Sequence, residues 1–451
     1  MFDKPSLTTA TLAFVFGLAV FPVAATADDE AAANATTPAT ESEAPEADAS
    51  VDESTSGRMP TDQAIAKFQQ RVKERPGDYL SHTVLGQLYL RQAKEEDDLP
   101  SYAKAEETFR AALKINPEHS SAMTWLAITL EARHEFAEAL ELASKVAATS
   151  ERETLALAAV GDCQLHLGRY EEAAVTYRTL AERANSPAVI ARLAHLSELN
   201  GQPDLAIAQI REALELSRTL GGTGQDLAWY EMRLGHLMMN RGRLADAETH
   251  FGQALKISKD YAAAQLGLAE VCALQGRLEE SEKLYLATIE QHGEPPAMAG
   301  LGDVLSKKGD REAAGIWYAK ADALMAEEAL TAAAAHYREV AMFYTNHDLK
   351  PTRALELAEM DLKQRQDIHA YDCLAWALYR NQQFDKALEA MQSALRLNTR
   401  DANMHFHAGM IHLALGDTQK AKAALTTVME INPQFSVLYS DVAAAELKKL
   451  Q

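Results

Sequence analysis

Positive charge is scarce in this sequence. Lysine and arginine number 44 against 65 aspartates and glutamates, a formal charge of -21 over 451 residues. Phosphate binding needs a basic face, so a nucleic-acid partner is excluded, and docking on anionic lipid is disfavoured. Cysteine is nearly missing. Cys163, Cys272 and Cys373 are odd in number and far apart, which argues against a disulfide framework. Each falls in a predicted helix, where a small apolar thiol packs well. Strand-like alternation and hairpin dipeptides of note are absent. Catalytic signatures are absent as well. His134-Glu135 has no second histidine to complete a zinc-protease motif, and no Gly-x-Ser-x-Gly occurs. Gly221-Gly222-Thr223-Gly224 has no strand before it and no lysine after it, so it reads as a linker and not a phosphate loop. The expectation is a protein that is not an enzyme and that holds no cofactor and no metal.

Apolar runs of membrane length are also missing, with one exception at the start. Leu7 to Ala25 carries no charge, follows a short start containing Lys4, and is broken by Pro22 just before Ala25-Thr26-Ala27. Small residues at those two alanine positions are what a signal peptidase reads, so residues 1–27 are expected to be a cleaved export signal. The competing reading is an uncleaved membrane anchor, since the run is nearly long enough to span. With cleavage, no integral membrane span remains, and the protein is expected to be periplasmic or extracellular. Residues 28–59 follow as an acidic, low-complexity linker with nine acidic side chains before Arg58. Such a segment buries too little apolar area to offset its ordering entropy, and it is expected to be a disordered, solvated spacer.

What the sequence does have, from Pro60 onward, is a repeated arrangement of small residues. Its clearest copy is Leu234-Gly235, Met238, Ala247, Phe251 and Ala254. Gly235 belongs to a first helix where a neighbour crosses too closely for a larger side chain. Ala247 and Ala254 belong to a second helix, and Phe251 fills the gap between them. The first-helix small slots recur at 86, 127, 161, 194, 235, 269, 302, 342, 375 and 409, mostly in steps of 33 or 34. Three longer steps have local causes. One is a lengthened turn carrying Glu95-Glu96-Asp97-Asp98. The second is Leu220 to Gly224, and the third is an alanine-rich insertion near Ala332. Ala64, Phe68 and Pro76 form a half-repeat over 60–77, full repeats fill about 78–434, and a capping helix is expected over 435–451.

These residues resemble tetratricopeptide-repeat proteins from about Pro60 to Leu450. Asp372 to Arg380 and His407 to Met410 resemble exported bacterial members. The resemblance implies an all-α fold, a right-handed α-solenoid of about ten helical hairpins with capping helices. The family's tryptophan slot, three residues before the leucine, holds Met123, Leu157, Ile190, Met298 or Tyr371 here. Glu231, Gln265 and Arg338 hold it elsewhere, and looser packing is expected at those three.

In such arrays the first helices line a concave face that holds partner segments. The positions beside the small slots are therefore the candidate partner-binding residues. Toward the middle they are Asp162, His166, His195, Glu198, His236, Met239, Asn240, Glu270 and Asp303. At the C-terminal end they are Asp372, Trp376, Tyr379, Phe406 and Met410. The first set is acidic and rich in histidine, which favours basic or apolar partner segments. The second set is aromatic, suited to anchoring if exposed; packing between helices is the plainer reading of Trp376 and Phe406. The paired lysines and asparagines with which some family members hold a terminal carboxylate are not found. His166, His195 and His236 come from successive first helices, but ligand sets normally show tighter spacing. The expected function is a scaffold mediating protein–protein interactions outside the cytoplasm. The alternative is an accessory protein that captures a metal or small ligand on the same array. A hydrolase hidden in Ala321 to His347 is set aside, because about 27 helical residues cannot enclose a site alone.

Overall fold

The computed structural model describes residues 60–96, 99–331 and 336–451. The expected export signal, the acidic linker, Asp97-Asp98 and the alanines at 332–335 lie outside the described residues. Among the described residues there are helices and no strand. In order they are α1 (Thr61–Glu74), α2 (Tyr79–Glu96), α3 (Leu99–Ile115), α4 (Ser120–Ala132), α5 (Phe136–Ala147), α6 (Thr154–His166) and α7 (Tyr170–Arg183). Then come α8 (Pro187–Leu199), α9 (Pro203–Thr219), α10 (Gln225–Asn240), α11 (Leu244–Ile257), α12 (Ala262–Leu274), α13 (Leu278–His292), α14 (Pro295–Lys308) and α15 (Arg311–Thr331). The last are α16 (Tyr337–Asn346), α17 (Pro351–Gln364), α18 (Ile368–Arg380), α19 (Phe384–Ala394), α20 (Ala402–Ala414), α21 (Thr418–Ile431) and α22 (Ser440–Lys449). The pairs α2/α3 and, in order, α6/α7 to α20/α21 pack as first and second helices of hairpins, an all-α solenoid.

The small slots do what their size requires. A Cβ on Gly235 would lie 2.7 Å from the Phe251 ring, and one on Gly86 2.6 Å from the Phe109 ring. Phe251, Ala247 and Ala254 are all fully buried. The turn between the two helices of a hairpin is equally regular. Seven residues after the slot the backbone takes a positive φ at His134, Gly168, Gly201, Gly242, Gly276, Gly309, Gln382 and Gly416. That conformation ends the first helix and starts the second at a fixed angle. Glycine adopts it without steric cost at most of these turns.

Two compact units divide the described chain, with the boundary inside α4. The unit ending at Thr129 holds α1 and the α2/α3 hairpin, whose Phe109 is fully buried. The unit from Leu130 holds α5, the eight hairpins from α6/α7 to α20/α21, and α22.

Three local expectations change. The residues expected to lengthen the turn near Glu95 instead extend the helices, so that α2 runs through Glu96 and α3 begins at Leu99. The terminal helix starts at Ser440 and not at Phe435, because Asn432 to Tyr439 is spent on turns and distant contacts. The polar tryptophan-slot residues are not loosely packed. Glu231 is 5% exposed and takes hydrogen bonds from Arg218 and His250. Arg338 is 3% exposed beside Asp367, and Gln265 bonds Lys259 O and Gln291. At 231 and 338 a charge with its partner beside it can be held in a buried position.

Replacing Phe251 by alanine empties the slots of both Gly235 and Gly267, which its ring faces, and is expected to cost about 3–5 kcal/mol. In a quasi-linear stack the loss stays near its origin. Hydrogen exchange should therefore quicken in α10–α12 and remain unchanged in α16 and α17. A uniform increase across the unit would contradict this.

Candidate functional site

A helix leaves its last carbonyls without intrahelical donors. In the unit from Leu130, several first-helix ends receive those donors from turns far along the chain. The Gln366 N–H donates to His166 O at 2.9 Å, and Asn432 Nδ2 donates to Met239 O at 2.9 Å. Gln434 Nε2 donates to Leu274 O at 3.0 Å, and Thr399 Oγ1 donates to Leu199 O. The Ile368 N–H donates to Tyr170 Oη at 2.7 Å, and Arg396 Nη2 to Gly168 O at 3.0 Å. The turns themselves touch. A Cβ on Gly201 would meet Asn398 O at 2.5 Å, and one on Gly242 would meet Asn432 Oδ1 at 2.9 Å. The turns before α18, α20 and α22 are thus stitched, in order, onto the ends of α6, α8, α10 and α12.

This seam decides where the candidate residues lie. Asp162 is buried and accepts from Arg192 at 2.7 Å and from Tyr177 Oη at 2.7 Å. His166 is buried, with its ring stacked on Phe136 at 4.1 Å and Nδ1 3.8 Å from Asp367. Burial lowers its pKa. Asp303 accepts from Tyr318 Oη at 2.8 Å and from His347 Nε2 at 2.7 Å. Asp372 is buried against His407 Nδ1 at 2.9 Å. Trp376 and Phe406 are each 1% exposed, so exposure on a groove is corrected for both. Trp376 lies between Tyr379 and His407, at 4.6 and 4.2 Å, and donates to Asn346. Phe406 packs on Phe435 and Tyr439. The physical reason is that α20 and the segment before α22 cover these rings. Met410 is half-buried against the same core.

The other candidates converge. His195, Glu198, His236, Met239, Asn240 and Glu270 line one cavity of about 160 Å³ between α8, α10 and α12 on one side and residues 399–403, His369, Asn432 and Phe435 on the other. Burial alone would raise the Glu198 carboxyl, but Arg233 and His195 beside it hold it down at about 2. Burial and Arg233 pull the His236 imidazole down to about 4, so it is neutral. Its ring sits edge-on to Phe251 at 5.0 Å. Burial, with Asp303 nearby, raises the Glu270 carboxyl to about 7. No three histidine, cysteine or acidic side chains among the described residues are grouped to hold a metal ion. Trp229, Arg233, His369, Asp401 and Asn403 also line the cavity. Sequence reasoning missed all five: Trp229 and Arg233 lie on α10 away from the positions beside its small slot, and the other three reach the cavity by contacts that leave no local spacing.

The hairpins match known sequences. Tetratricopeptide-repeat family models cover residues 238–302, and also 90–153 and 374–434. The chain carries tetratricopeptide repeats. Tetratricopeptide repeat protein 8 of Caenorhabditis elegans is 25% identical over 179 residues, 40% of this chain and 34% of that one. The chain therefore spans about a third of that curated relative's length. Among solved structures, yeast Tom70 shares 13% identity at a TM-score of 0.36, over 86% of this chain and 92% of that one. A thermophilic tetratricopeptide-repeat protein of Thermus thermophilus shares 22% identity at a TM-score of 0.36, over 41% of this chain and 97% of that one. Tetratricopeptide repeats bind other proteins and generally serve as non-enzymatic scaffolds. No described helix is long and apolar enough to cross a membrane.

Two outcomes test this geometry. Asn432→Leu removes the side-chain donor to Met239 O in a buried setting and is expected to lower stability by about 1–3 kcal/mol, read as a fall in melting temperature. Glu198 contributes stability that is complete above its ordinary value of 4.5 and is lost as pH falls toward 2. Glu198→Gln should flatten the wild-type loss of stability between those values. An unchanged acid limb in that variant would show the ion pair with Arg233 to be inert.

Proposed function

We propose that this tetratricopeptide-repeat protein is a non-enzymatic scaffold that works outside the cytoplasm. In this reading it receives a basic or apolar segment of a partner protein at the mouth of the cavity formed by α8, α10 and α12. The observation that carries the reading is the convergence of His195, His236, Met239, Asn240 and Glu270 on one cavity. The remaining candidates, Asp162, His166, Asp303, Asp372, Trp376, Tyr379 and Phe406, hold the scaffold in place around it. The formal charge of -21 supports a basic partner through long-range attraction. The uncharged run from Leu7 to Ala25 and the Ala25-Thr26-Ala27 sequence support export to the periplasm or beyond.

The test is site-specific photo-crosslinking in cells that produce the full chain. A crosslinker at Asn240, exposed at the cavity, should yield a discrete protein adduct. The same group at Val175, which is 55% exposed on the second helix α7, should not. Adducts from Val175 alone would move the binding surface to the outer face. A mature protein recovered from the cytoplasm with residues 1–27 intact would contradict the exported setting.

A further inference from the structure

The concave row has one carboxyl that the fold leaves unused. Asp162 is taken by Arg192 and Tyr177, Asp303 by His347 and Tyr318, and Glu198 by Arg233. Glu270 is half-buried, lines the cavity, and has no hydrogen-bond or ion-pair partner among the described residues. Next to it His236 is neutral, and Arg233 is already neutralised by Glu198. Trp229, Met232, Met239 and Phe435 supply apolar wall. A cavity of about 160 Å³ is smaller than the roughly 300–1,000 Å³ of pockets for drug-sized ligands. It suits one side chain, not a folded element.

We propose that this cavity is a recognition pocket for a single lysine or arginine side chain of the partner protein, with the Glu270 carboxylate as counter-ion. This rests on the scaffold reading above and names the chemistry that the partner presents. The apolar wall covers the aliphatic stem, as long basic side chains favour, and the aromatic faces of Trp229 and Phe435 add attraction for a cation. The groups facing Glu270 across the cavity and beside it are Asp303, Tyr285, His236, Arg233, His369 and Asp401, and Arg241 and the exposed Arg400 also line the cavity. Burial, with Asp303 nearby, holds Glu270 at a pKa of about 7, near half protonation at neutral pH. A cation binds the ionised form. Binding is therefore weak when Glu270 is protonated and strengthens as pH rises through that value, by about tenfold from about pH 6 to about pH 8.

The probes are Nα-acetyl-lysine methylamide and its arginine counterpart, titrated calorimetrically into the full chain. Nα-acetyl-norleucine methylamide serves as the uncharged control. Expected are binding of the two basic amides, about tenfold tightening over that pH range, and no binding of the control. Glu270→Gln should lose at least tenfold in affinity together with the pH dependence, at an unchanged or raised melting temperature. Asn240→Trp, which narrows the mouth, should lose binding without loss of fold. Equal binding of the norleucine amide, or a Glu270→Gln variant that binds as well as wild type, would overturn the proposal. Spermidine binding in place of the side-chain amides would overturn it in favour of a free polyamine. Failure of all amides while the Asn240 crosslinker still captures its partner would sink this pocket and leave the scaffold standing.

Discussion

The fold depends on a ring seated where a first helix has no side chain. Phe251 crosses Gly235 and Gly267 closely enough that an added methyl at either glycine would strike it. The same arrangement is met at Gly86 with Phe109, at Gly161 with Tyr177, and at Gly302 with Tyr318. Small slots set the distance between paired helices, and the recurrent positive-φ turn sets their angle. Both are local, and repetition makes them cumulative. Eight hairpins in one unit carry the chain far enough around to bring Gln366 onto His166 and Asn432 onto Met239.

The contact made there has a simple chemical basis. Helix-end carbonyls buried without donors are costly, and the turns two hundred residues on provide those donors. Because the bonds run from side chains and turn amides to backbone oxygens, they demand position more than identity on the receiving side. The seam encloses the face of α8, α10 and α12 as a cavity, in which burial moves Glu270 toward 7 and His236 toward 4. Trp376 and Phe406 are core residues for a nearer reason: Tyr379 and His407 pack on the first, Phe435 and Tyr439 on the second.

The local half of this is legible in the sequence. Leu234-Gly235 and Phe251 announce a hairpin by spacing alone, and most slot positions fall where the period places them. The irregular unit is also readable, with Ala354 fully buried and Met342 nearly so. The distant half is not legible. Nothing in the spacing near Phe406 signals that Phe435 and Tyr439 will cover it, and most of the atoms capped at the seam are backbone carbonyls that every residue carries. The polar residues at 231 and 338 mislead for a related reason. Their partners, such as His250 and Asp367, lie on other elements, and a charge without its partner in view looks like a packing fault. Of the candidate site, the members on α8, α10 and α12 are visible as a row. His369, Asp401 and Asn403 enter only once the seam brings the two sides together.

The scaffold reading and the cavity both require the seam. Its most direct test is amide hydrogen exchange at Gln366 and Ile368, which lie just before and at the first residue of α18. In an isolated helix start such amides have no acceptor and exchange quickly. With His166 O and Tyr170 Oη as acceptors, both amides should exchange as slowly as the interior of α18. Exchange at the rate of a free turn, while α18 itself stays protected, would show that the unit does not close on itself.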